Sequence, residues 1–90
     1  MASSMISVEL FGVPRIRAGR ACVRLEAQTV GEALVSLGRA CPGLAGSVLI
    51  GDGVHAAYKL SLNGDRFVTD PATRLSDGDA LLLLSADVGG

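Results

Sequence analysis

Ninety residues suffice for one small domain, and an apolar fraction of 49% is enough to give it a core. Eight basic and nine acidic side chains leave a formal charge of -1. The local cluster Arg15, Arg17, Arg20 and Arg24 has no aromatic residues interleaved, so a nucleic-acid surface is disfavoured and a solvated hairpin face is expected.

The first five residues, with neither a basic stretch nor a long apolar run, are read as a flexible N-terminus rather than a signal peptide. No run approaches the length of a membrane span, and a cytoplasmic protein without a membrane partner is expected. Cys22 and Cys41 are too few for a zinc or iron–sulfur site without other ligands and are expected as reduced structural thiols.

Ile6, Val8 and Leu10 alternate with Ser7 and Glu9, the period-2 pattern of a strand with one face in a core. Phe11 and Gly12 end it, a loop containing Pro14 and Gly19 turns the chain, and Val23 and Leu25 alternate with Arg24 and Glu26 in a second strand. The two make an opening hairpin. Thr29 followed by Glu32 is a capping box, and Val30, Ala33, Leu34, Leu37 and Cys41 then share one face at helical spacing. Gly31 and Gly38 are expected to weaken that helix by about 1 kcal/mol each relative to Ala, and Pro42 ends it by Cys41.

Residues 43–53 are ambiguous between a helical turn and a strand. Gly51 to Ala56 formally match a dinucleotide-binding fingerprint, but no second crossover unit follows, so a turn is the reading there. Tyr58, Leu60 and Leu62 resume alternation, and Asn63-Gly64 is a strong hairpin signal leading into Arg66-Phe67-Val68. Asp77-Gly78-Asp79 turns into a last strand containing Leu81, Leu82, Leu83 and Leu84. No internal repeat, low-complexity tract or linker interrupts the chain.

One helix covers only one face of such a sheet, and the other face should be polar. Four consecutive leucines break that rule. With Leu81 and Leu83 against the helix, Leu82 and Leu84 fall on the open face as a docking surface, unless residues 43–53 cover them. The sequence ends on Gly89-Gly90, residues that suit a narrow channel because they lack Cβ atoms. His55, the only histidine, stands in an expected loop as a solvated side chain, and the aspartates fall where turns favour them, so no metal site is expected.

The hairpin, the capped helix, Leu62-Asn63-Gly64, Leu75-Ser76-Asp77-Gly78-Asp79 and the ending Ala86-Asp87-Val88-Gly89-Gly90 together resemble the β-grasp sulfur-carrier family. That family includes the molybdopterin synthase small subunit and the thiamine-pathway sulfur carrier, and it is distantly related to ubiquitin. The resemblance covers residues 6–90 and departs at Ser85, where proline is common, and at Asp87, where a small or apolar residue is usual.

The resemblance implies an α+β, ubiquitin-like β-grasp fold over residues 6–85, with a mixed sheet of four to five strands, one main helix on one face, and a reactive tail at residues 86–90. It also implies that an activating enzyme uses ATP and magnesium to adenylate Gly90, and that a sulfurtransferase or sulfide source converts the product to a thiocarboxylate. Gly89 and Gly90 would be the reactive end, Ala86 and Val88 the tail that fits the partner, and Leu82, Leu84 and Phe67 the docking patch for an acceptor synthase large subunit. The chain itself would be a carrier, not an enzyme, and would hold no cofactor. Molybdopterin synthesis is the leading specific reading, followed by thiamine, cysteine or another thio-metabolite. A ubiquitin-like modifier and a plain interaction module are the alternatives.

Overall fold

The computed structural model describes residues 4–86. Strand β1 (Met5–Leu10) buries alternate residues, and it lies second in a five-stranded sheet. It pairs antiparallel with β2 (Cys22–Glu26) on one side and parallel with β7 (Ala80–Ser85) on the other. On the far side of β7, β5 (Tyr58–Leu62) and β6 (Arg66–Val68) complete the sheet as an antiparallel hairpin.

The connection between β1 and β2 differs from expectation. Where the sequence reading places a loop, Val13–Ala18 form a short helix, α1. The glycines and proline that read as loop formers bracket it. Pro14 fits the first turn, where a missing N–H costs no bond, and Gly19 takes the left-handed conformation (φ 71°) with its N–H bonded to the Arg15 carbonyl at 2.9 Å. A Cβ at Gly43 would run into the Arg17 carbonyl oxygen, so α1 is seated hard against the segment that follows the main helix.

That main helix, α2 (Val30–Ala40), begins and ends where the sequence places it. Thr29 Oγ1 accepts from the Glu32 N–H at 3.2 Å, while Glu32 Oε1 accepts from the N–H of Gln28, one residue before the cap, at 3.0 Å. The remaining N–H groups of the first turn go to the carbonyls of Thr73, Pro71 and Thr29, so a loop distant in sequence completes the cap. This contact changes the meaning of Gly31. A Cβ there would lie 3.0 Å from Pro71 Cβ and 3.2 Å from its carbonyl oxygen, so the glycine permits the loop to close.

Residues 43–53 are the stretch the sequence leaves open. Pro42–Leu44 form one turn of 3₁₀ helix, and β3 (Leu49–Ile50) pairs with β4 (Gly53–Val54) across a tight turn at Gly51 and Asp52. Leu44, Val48 and Leu49 are buried in the same core as Leu34 and Leu37 of α2. The segment therefore packs on the helix side, and the opposite face of the sheet is left uncovered by it. The core itself combines Ile6, Val8 and Leu10 of β1, Leu60 and Leu62 of β5, Leu81 and Leu83 of β7 and the apolar stripe of α2.

Candidate functional site

β7 sorts its leucines by parity. Leu81 and Leu83 are fully buried beneath α2, while Leu82 and Leu84 are half-buried on the uncovered face. Register aligns Glu9 of β1, Leu82, Ser61 of β5 and Phe67 of β6 in one row across that face, and it sets Lys59 beside Leu84. The sheet thus brings Leu82, Leu84 and Phe67 together. Phe67 is 59% exposed, and the Lys59 Nζ sits 4.4 Å from its ring centroid, a cation–π contact that lays the lysine stem along the apolar surface.

By sequence, Phe11 is only the end of a strand. Its N–H bonds to the Leu83 carbonyl at 3.3 Å, which extends the parallel ladder by one step and sets Phe11 level with Leu84. Phe11 is 40% exposed and enlarges the apolar patch. Continued alternation through Ser7, Glu9 and Phe11 is the signal that identifies it.

The register of this face is fixed by two turns that act as one unit. Asn63 adopts a left-handed conformation (φ 57°) at the tip of the β5–β6 hairpin. Its Oδ1 accepts from the Ala80 N–H at 2.8 Å, its N–H donates to the Ala80 carbonyl at 2.7 Å, and its Nδ2 donates to Asp79 Oδ1 at 3.0 Å. Asp79 Oδ2 also accepts from the Ser76 N–H, and Asp77 Oδ1 accepts from the Met5 N–H, each at 2.8 Å. The start of β7 is thereby tied to both β5 and β1. The Ser76 and Asn63 bonds, with Arg66 nearby, hold the Asp79 carboxyl below the ordinary carboxylate range.

At the other end of β7, the Ala86 N–H donates to the Ala57 carbonyl at 2.8 Å, so the root of the tail is anchored beside β5. Val88, Gly89 and Gly90, to which the sequence reading assigns the channel-fitting and reactive roles, lie outside the described residues, as does Asp87. His55 is exposed and its Nδ1 accepts from the Ala57 N–H at 3.0 Å, which makes it part of the turn before β5. Among the described residues no three His, Cys, Asp or Glu side chains converge as a metal site, and no helix is long and apolar enough to cross a membrane. Cys22 and Cys41 are both free thiols.

A mixed sheet of five strands with one long helix on one face is the ubiquitin-like β-grasp fold. Within that fold, the chain is similar to the small archaeal modifier proteins. No protein-family model and no curated protein matches it. Among solved structures, small archaeal modifier protein 1 from Haloferax volcanii superposes with a TM-score of 0.79 at 25% identity, over 97% of this chain and 100% of that one. A chain of the Amycolatopsis orientalis BexX/CysO complex matches with a TM-score of 0.77 at 22% identity, over 94% of this chain and 99% of that one. A chain of the Helicobacter pylori complex of molybdopterin-converting factor subunits 1 and 2 matches with a TM-score of 0.65 at 24% identity, over 96% of this chain and 99% of that one.

Proposed function

We propose that this protein is a cytoplasmic sulfur carrier that delivers sulfur from its Gly90 carboxyl group to an acceptor enzyme. The observation that carries the reading is an uncovered apolar patch, Leu82, Leu84, Phe67 and Phe11, built around the strand that leads to Gly89-Gly90. A β-sheet face that serves only solvation would carry polar residues at these positions.

In this reading an activating enzyme transfers AMP from ATP to the Gly90 carboxylate, with release of pyrophosphate and with magnesium held by that enzyme. The acyl adenylate is an electrophile that the free carboxylate is not. Sulfide attacks it and expels AMP to give the thiocarboxylate directly. Alternatively, a persulfide of a sulfurtransferase attacks, and a second thiol then cleaves the acyl disulfide. The patch docks the domain while Ala86 and Val88 guide the tail, and no side chain of this chain acts as acid or base. The fold shared with a chain of the two-subunit molybdopterin-converting factor supports a role as small subunit of molybdopterin synthase. Donation toward thiamine, cysteine or another thio-metabolite requires the same parts.

Likeness to the archaeal modifier favours a second reading, in which a lysine amine replaces sulfur as the nucleophile and Gly90 forms an isopeptide bond. Intact mass of the protein purified from its host under thiol-protecting conditions separates the two. A fraction heavier by one oxygen-to-sulfur exchange and lost on deletion of Gly90 is expected for the carrier. Lysine-linked adducts identify the modifier. A single unmodified species, even with an activating enzyme, ATP and a sulfur source supplied, would refute both.

A further inference from the structure

Charge is segregated along this chain. Residues 11–24 hold Arg15, Arg17, Arg20 and Arg24 and no acidic residue, a local +4, and the other four basic and nine acidic residues give -5. Within the basic segment, α1 exposes two large apolar side chains, Val13 at 47% and Ile16 at 78%. Ile16 lies between Arg15 and Arg17, each about 100° away around the helix. Among the described residues none of these arginines is paired with a carboxylate.

α1 is also held firmly. Pro14 is buried beneath it, Gly19 caps it, and the Gly43 backbone abuts the Arg17 carbonyl. Its position follows from the topology. β1 and β7 are parallel neighbours with Leu10 opposite Leu83, so three residues onward Val13 starts α1 while Ala86 starts the tail at the same end of the sheet. Phe11, level with Leu84, is separated from Val13 only by Gly12, which brings the apolar patch of the sheet close to α1 along the chain.

We propose that α1 is a second docking element, which seats on the activating enzyme at the mouth of the channel that receives the tail. That surface offers an apolar socket for Ile16, rimmed by Asp and Glu carboxylates facing Arg15, Arg17 and Arg20. A rigidly presented isoleucine flanked by cations suits a socket of this kind better than a bilayer, which needs a much longer apolar face. The cations add long-range steering and orientation, placing the tail before it threads. This inference rests on the activation step proposed above.

The test uses the full chain and the activating enzyme of its own host, with binding read by calorimetry and activation by ATP–pyrophosphate exchange. Ile16→Ser is expected to raise Kd and the KM for the chain by about tenfold, equivalent to about 1.4 kcal/mol, with kcat unchanged. Arg15→Glu combined with Arg17→Glu should weaken binding at least as much and leave it no longer weakened by salt. Both variants should melt as the wild type does, since the replaced side chains are exposed. Wild-type Kd and KM in both variants would overturn the proposal while leaving the carrier reading intact. No exchange with the wild-type chain would overturn both. Binding to anionic phosphatidylglycerol vesicles that disappears in Ile16→Ser would reassign α1 to a membrane and overturn the protein socket.

Discussion

The two faces of β7 are built from the same amino acid and have opposite tasks. Leu81 and Leu83 fill the space under α2 with no exposure, whereas Leu82 and Leu84 keep part of their surface toward solvent on a face that nothing described covers. The covered face obtains its stability from close packing, in which every removed methyl leaves a void. The open face has no such constraint on volume, and its apolar character is a cost borne in the free protein. A strand that alternated leucine with threonine would satisfy the fold equally well, so the extra leucines report on something other than folding.

The sharpest way to break this contrast is to change one leucine on each face. Leu83→Ala should destabilise the domain by about 2–5 kcal/mol, a large part of the whole stability of a domain this size, read by urea unfolding. Leu84→Glu should leave the unfolding midpoint within about 0.5 kcal/mol of wild type, because the new carboxylate lies opposite Lys59. It should nevertheless abolish measurable binding to the acceptor enzyme. Equal destabilisation by both changes would remove the distinction between the faces, and unchanged binding would remove the docking patch.

The covered face depends on where α2 starts. Thr29→Ala deletes the hydroxyl that accepts the Glu32 N–H and should cost about 1 kcal/mol in the same unfolding experiment. An unaltered midpoint would show that the carbonyls of Pro71 and Thr73 suffice to hold the first turn. The helical glycines offer a finer comparison. At Gly38 the nearest atom to a new Cβ is Leu49 Cδ1 at an ordinary 3.5 Å, so Gly38→Ala should stabilise by roughly 0.5–1 kcal/mol through helix propensity. At Gly31 the neighbour is Pro71, whose carbonyl is already engaged by the Gly31 N–H, so the same substitution should destabilise. Midpoint shifts of the same sign would mean that the 70–74 loop yields.

Why some of this was readable from sequence and some was not follows from the range of the interactions. Alternation, the Thr29–Glu32 pair and the Asn63-Gly64 turn are local, and they place β1, α2 and the β5–β6 hairpin directly. The four leucines are readable as two faces because one helix covers only one. α1 escapes such reading because six residues show too little periodicity, and because Pro14 and Gly19 serve loops and helix ends alike. The crowding at Gly31 depends on Pro71, forty positions away, and the bond from Asn63 to Asp79 spans sixteen. Neither distance leaves a pattern in a short window. Phe11 is intermediate: its alternation is visible, but its place level with Leu84 requires the parallel pairing of β1 and β7.

The smallest expected effect concerns the network that sets the register of both faces. Asp79 accepts from the Ser76 N–H and from Asn63, and these bonds favour its ionised form, so its carboxyl titrates lower in the folded protein than in the unfolded chain. A lowered native pKa means that the unfolded state binds the proton first as pH falls. The stabilisation is therefore complete above the ordinary carboxylate value, near 4, and is lost progressively as pH drops through the lower native value. Asp79→Asn keeps one acceptor but removes the charge. It should lower the midpoint slightly at neutral pH and flatten the acid limb of a melting-temperature profile taken between about pH 2 and pH 6. A profile with the wild-type slope would show that other carboxylates control acid stability, leaving the Asn63 contacts with Ala80 as the main tie between the β5–β6 turn and the start of β7. A flattened profile would show that the charge helps hold the register on which the sorting of Leu81 to Leu84 depends.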